Sequence, residues 1–231
     1  RVVQDDDSDH EDAVEEALKA LGNFKLSQLP GDWLIEALTS ERLQDGASEW
    51  VSGKNADALP KGLDIERVRG LVFRADTRPA AFAILQNTKL VSPRTVGLGW
   101  LLALARRADP ALHEWAHRYL LEHLRPEHFA EAKDDLQRGI EKLFELATGP
   151  REPEAIRQFA QGYLLAHHPV LSRSQTKGQV AKPLLTHQAY AESSVWPALA
   201  DERPDVRRFA VDITRVELRR WGAHLHVYEL A

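Results

Sequence analysis

The sequence predicts an all-α protein, an irregular α-solenoid of antiparallel helix pairs. Three observations carry that prediction. Apolar residues recur at three- and four-residue steps along most of the chain, the period of a helix with one buried stripe. Prolines repeatedly follow charged turns, at a first helical position where their missing N–H would be unsatisfied anyway. Three segments also share an aromatic–alanine pair just behind such a turn.

The elements read as follows. Ser8 with Glu11 makes a capping box for a helix whose apolar face is Ala13, Val14, Ala17, Leu18 and Leu21, with Gly22 as its C-cap. The acidic run Asp5 to Asp12 has alternate aspartates, but His10 stands where a calcium loop needs glycine. Asp32 caps a short helix carrying Trp33, Leu34, Ala37 and Leu38, and another spans Glu41 to Val51. Gly53-Lys54 lies in a turn and has neither the upstream strand nor the further glycine of a phosphate loop. Asp64 caps a helix through Phe73, and Thr77-Arg78-Pro79 begins the next. Pro93 opens a strongly apolar helix through Leu104, Pro110 a helix to Leu124, and Pro126 a long helix to Ala147. Pro153 starts Glu154 to His168, one or two short helices occupy Lys182 to Ala200, and the last runs from Pro204 to about Trp221. No alternating β-branched run marks a strand; the tail His224 to Tyr228 is either one short strand or more of the helical array.

Bulk properties narrow the function classes. The 231 residues are expected to form a single elongated helical domain, with less regular helices over 1–62 and repeats over 63–231. Without cysteine there is no disulfide framework and no Cys-based zinc or redox site. A net charge of −5 excludes a generally basic nucleic-acid-binding surface but leaves room for a local patch. No apolar run approaches the roughly 20 residues that span a bilayer, and the start Arg1 to Asp7 lacks the core of a signal peptide. A cytoplasmic location and no membrane partner are expected. A chain without methionine is expected to be a fragment of a longer one.

The aligned segments are Asp109-Pro-Ala-Leu-His-Glu-Trp-Ala116, Glu152-Pro-Glu-Ala-Ile-Arg-Gln-Phe-Ala160 and Arg203-Pro-Asp-Val-Arg-Arg-Phe-Ala210. Leu112, Ile156 and Val206 share one core position; Trp115, Phe159 and Phe209 share another; Ala116, Ala160 and Ala210 are small enough for close helix approach. Arg78 to Ala83 is a degenerate fourth copy. The aromatic positions, from Phe82 onward, are 33, 44 and 50 residues apart, periods that belong to helical solenoids. Asp201, Val206, Arg207 and Ala210 make the stretch Leu199 to Ala210 resemble the inter-helix turn and second-helix start of a HEAT repeat. The likeness is looser at 146–165 and 104–121 and weak before residue 90. It implies a HEAT-like α-solenoid, a family mostly of scaffolds and binding platforms, with a minority of DNA-repair enzymes such as the HEAT-like alkylpurine DNA glycosylases.

Two groups of side chains could carry chemistry. His113-Glu114-Trp115-Ala116-His117 has the spacing that puts two imidazoles on one helix face to hold zinc, with the glutamate as general base. His123, Glu127 and His128 are third-ligand candidates by distance along the chain. The repeat offers another account: Trp115 and Ala116 are its core pair, so His113 and Glu114 align with Arg157-Gln158 and Arg207-Arg208, and the motif falls on a surface-tolerant stretch. No metal and no cofactor is therefore expected. Arg208, Arg215 and Arg219 lie on one side of the last helix, with Arg207 and Arg220 nearby, and guanidinium forks suit phosphate or carboxylate. Glu202, Asp205, Asp212 and Glu217 are interleaved with them and are expected to pair much of that charge. The expected function is a non-catalytic interaction module holding a protein or peptide on a concave surface. The alternatives are a DNA- or RNA-binding protein, with base excision as its enzymatic form, and then a zinc hydrolase. The sequence does not give the oligomeric state.

Overall fold

A computed structural model describes residues 25–52, 58–130, 135–172 and 182–222. The capping box at Ser8, the acidic run, Gly53-Lys54 and the tail at His224 to Tyr228 lie outside the described residues. Among those described there are eleven α-helices and three short 3-10 helices, and no β-strand; one isolated bridge pairs Pro30 with Lys61. No helix among them is long and apolar enough to cross a membrane. The chain divides into two compact units, residues 1–97 and 98–231.

The first unit holds α1 (Gly31–Thr39), α2 (Gln44–Ser52), α3 (Ile65–Leu71), α4 (Arg78–Gln86) and α5 (Pro93–Val96). Helices α1 and α2 pack together, and α4 packs on both α2 and α3. Leu34, Leu38, Val68, Val72, Ile84 and Leu85 form the buried centre. Helix α1 starts one residue before the expected cap: Asp32 lies in its first turn and reaches Arg67 at 2.6 Å instead. Asp64 does cap α3, accepting Glu66 N–H at 2.9 Å, but α3 stops at Leu71 and Phe73 is left exposed. The apolar helix expected from Pro93 is cut at Gly97, whose φ of 85° is accessible to glycine and strained for other residues.

The second unit holds α6 (Leu98–Ala105), α7 (Pro110–His123), α8 (Leu136–Thr148), α9 (Glu154–Ala166), α10 (Glu192–Leu199) and α11 (Pro204–Trp221). The helices pack as successive pairs, α6 with α7, α8 with α9 and α10 with α11, while α9 also touches α6 and α11. The expected long helix from Pro126 is not one helix. Pro126–Phe129 is a 3-10 turn that ends in extended backbone at Ala130, and Asp135 caps a new helix by accepting Arg138 N–H at 3.1 Å. That turn packs against α8 so closely that a Cβ on Gly139 would lie 1.9 Å from the Pro126 carbonyl oxygen.

The three aligned segments have matching surroundings. Trp115, Phe159 and Phe209 are all buried, as are Leu112, Ile156 and Val206, and the three alanines are wholly inaccessible. Phe82 of the degenerate copy is only half-buried. Two tyrosines stitch neighbouring segments: Tyr163 donates to the Leu124 carbonyl at 2.9 Å and Tyr190 to the Leu164 carbonyl at 2.6 Å. Burial pushes both hydroxyls well above the usual tyrosine range.

Candidate functional site

The first candidate grows from the core stripe of α11. Val206, Phe209, Ala210 and Ile213 are buried at helical spacing, and the next position on that stripe is Glu217. A carboxylate therefore sits where an apolar side chain belongs, with no exposed surface. Three donors surround it. His187 Nδ1, from the 3-10 turn His187–Ala189, lies 2.5 Å from Oε1. His168 Nε2, from the chain just past α9, lies 3.1 Å from the same oxygen, too far off line for a well-formed hydrogen bond. The Arg220 guanidinium bonds Oε2, and it also donates to the Tyr190 carbonyl at 2.5 Å, beside Trp221 Nε1 at 2.9 Å.

Burial alone would push the Glu217 carboxyl up. Hydrogen bonds from Arg220 and His187, with their charges, outweigh it and hold the carboxyl below its usual range. Burial pulls His168 below the usual histidine value; the Glu217 charge opposes this, while His187 and Arg220 reinforce it. His168 is wholly buried, whereas the His187 side chain is about half exposed.

Two imidazoles and a carboxylate are a set that zinc binds, and the ligating atoms lie within 4.8 Å of one another. The protons are placed for hydrogen bonding instead. His168 Nδ1 accepts the amides of Val170 at 3.0 Å and Leu171 at 3.3 Å. A neutral imidazole has one acceptor nitrogen, so Nε2 carries the hydrogen and has no lone pair for a metal. His187 Nδ1 faces an oxygen that only accepts, so it too is protonated. The donor set does not fit a metal ion.

The zinc-like pentapeptide on α7 gathers no third donor among the described residues. His113 Nδ1 donates to the Ala105 carbonyl at 2.7 Å, and Glu114 is exposed. His117 has its ring 4.3 Å from that of His113 and edge-on to Phe159 at 5.5 Å. Burial, then the His113 charge, lowers its pKa, and its Nε2 is enclosed without a partner. His128 Nδ1 accepts the Arg125 amide at 3.1 Å. The aligned position has one task in all three copies: His113, Arg157 and Arg207 each bond a carbonyl just upstream. Arg157 donates to Glu152 O at 2.7 Å, and Arg207 to Asp201 O at 2.7 Å and Glu202 O at 2.8 Å.

The arginines of α11 divide. Arg207 and Arg220 are held by the fold, while Arg208, Arg215 and Arg219 point outward, Arg215 only 3.6 Å from Asp212. Val211 and Leu218 are exposed on the same side. Glu217, one of the interleaved acids, does pair with Arg220, but from a buried position rather than from the exposed face. His168 and His187 escaped sequence reading because neither belongs to a spaced motif and both are far along the chain from Glu217. The available signal was Glu217 itself, four residues beyond Ile213 on a stripe that must be buried.

No protein family, curated protein or solved structure matches this chain. Its function must be argued from its own surfaces.

Proposed function

We propose that this chain is a non-catalytic protein-interaction module, a HEAT-like α-solenoid of antiparallel helix pairs, acting in the cytoplasm. One observation carries the reading: the outward face of α11. At 100° per residue, Arg208, Arg215 and Arg219 form one line and Val211 and Leu218 a second line beside it, within about a quarter of the circumference. The stripe runs about 16 Å along the helix, from the 1.5 Å rise per residue. Guanidiniums next to exposed aliphatic groups suit a protein segment that presents carboxylates beside apolar side chains. For a phosphate backbone the aliphatic line would be idle, since phosphate recognition is almost wholly electrostatic. A net charge of −5 also opposes a polyanion at long range.

The test is photo-crosslinking from a benzoylphenylalanine placed at position 218, with and without Arg208→Glu, Arg215→Glu and Arg219→Glu together. The expected products are adducts to a protein, lost in the charge-reversed variant. Nucleic-acid adducts, together with salt-dependent duplex binding that the same variant abolishes, would replace this reading with the nucleic-acid one.

A further inference from the structure

The geometry around Glu217 points to a proton-operated catch: neutral His168 holds the turn after α9 closed against α11, and protonated His168 releases it. The groups facing His168 are Glu217 and Arg220 from α11 and His187 and Tyr190 from the segment before α10, the Tyr190 ring lying 4.4 Å away. With the hydrogen on Nε2, 3.1 Å from the Glu217 carboxylate, the only lone pair on the ring is at Nδ1. It serves as the acceptor for Val170 N–H and Leu171 N–H, while Ser172 N–H bonds the His168 carbonyl at 3.1 Å. The His168 side chain is thus the cap of its own turn.

A proton reaching His168 must land on Nδ1. Nδ1–H then confronts two amide hydrogens, and both amides lose their acceptor. The Nδ1–H of the wholly buried ring then has no acceptor, which is strongly unfavourable, and the part-buried amides point their hydrogens at it, so the imidazolium is relieved only once the ring has turned and residues 169–172 have moved. Glu217, held as a carboxylate, takes up its proton last. On acidification from the usual histidine range of about 6.5 towards the usual glutamate range of about 4.3, the proton that matters goes to His168. Opening coupled to one proton changes by up to about tenfold per pH unit.

Amide hydrogen exchange read by NMR between pH 7.5 and pH 5, corrected for intrinsic exchange, tests this. Protection of the Val170 and Leu171 amides is expected to fall with pH several-fold more steeply than that of Leu143 to Ala147 in α8. His168→Asn keeps an acceptor oxygen for the two amides and does not titrate, so it should flatten the dependence. Equal slopes at both places, or an unchanged slope in His168→Asn, would overturn the inference. The unmodified protein gives an independent reading through its ring-nitrogen shifts. His168 as the Nε2–H tautomer at pH 7.5, unmoved by added zinc, supports the catch; the Nδ1–H tautomer or a zinc-induced shift overturns it.

Discussion

The guanidinium of Arg157 holds both carboxylate oxygens of Asp205, Nε at 2.8 Å from Oδ2 and Nη2 at 3.2 Å from Oδ1. The third nitrogen donates to Glu152 O, and Gln161 bonds both Asp205 and the Ala147 carbonyl. Arg157 belongs to α9 and Asp205 to the first turn of α11, so the fork joins the starts of two successive aligned helices. Arg157→Ala takes the fork from Asp205 and leaves the Glu152 carbonyl without that donor in a mostly enclosed place. It should destabilise the protein by about 2–4 kcal/mol, near the low end of breaking a buried pair because both groups keep some water contact. Asp205→Asn should have a smaller effect, about 1–2 kcal/mol, since the amide still accepts. Urea unfolding checks both, and a double-mutant coupling near zero would show that the fork is decorative.

Two glycines inside neighbouring helices should respond oppositely to alanine. Gly162 in α9 has nothing within 4 Å of an added Cβ, so Gly162→Ala should stabilise by about 0.5–1 kcal/mol through helix propensity. Gly139 in α8 abuts the Pro126 carbonyl, and Gly139→Ala must push the 3-10 turn away, destabilising by about 1–3 kcal/mol. Thermal melts of the two variants should move in opposite directions. A shared direction would mean that the contact between the turn and α8 is loose.

Acid should weaken the fold in two stages. His117, His167 and His168 all have lowered pKa values, chiefly through burial. The unfolded chain therefore binds more protons than the folded one below about 6.5, and stability falls with falling pH by up to about 1.4 kcal/mol per unit per histidine. The contribution is fully present above that pH. A second loss follows below about 4, as Asp201, lowered to about 2 by hydrogen bonds from Arg203, and Asp205, lowered by the Arg157 fork, become protonated. Urea midpoints at pH 8, 6.5 and 5 test the first stage, and a flat profile there would mean that the three rings gain solvent in solution.

Substituting the pentapeptide histidines should change stability and leave zinc content unaffected. His113→Ala removes the bond to the Ala105 carbonyl and should destabilise by about 1 kcal/mol. Elemental analysis after dialysis against a chelator and zinc re-addition is expected to give the same value for wild type, His113→Ala and His117→Ala. Stoichiometric zinc lost with either histidine would restore the hydrolase reading.

What could be read from the sequence was whatever local chemistry decides. Proline at a first helical turn, Asp64 as a cap, and the aromatic–alanine pairs each act within a few residues, and each appears where expected. The breaks at Gly97 and before Asp135 were hidden for a physical reason. Apolar periodicity runs straight through both, and only a positive φ in one case and a competing cap in the other stop the helix. The Glu217 cluster was hidden differently. Its members are 19 and 30 residues apart along the chain, and none shows its partners until α9, the 3-10 turn and α11 are folded together. His113 was expected on a surface-tolerant stretch; it is instead part-buried and bonded to the Ala105 carbonyl, as the aligned Arg157 and Arg207 bond carbonyls upstream of them.

The two tyrosine hydroxyls give the second unit an order of failure. Tyr163 reaches back to the end of α7 and Tyr190 back to the end of α9, so each segment is fastened to the one before it by a donor it supplies itself. A segment in the middle cannot peel away without stranding a hydroxyl on one side and a carbonyl on the other. Either end segment breaks only one such stitch when it leaves. Pulled or heated, the unit should come undone like knitting, from its ends and row by row, the middle segment last.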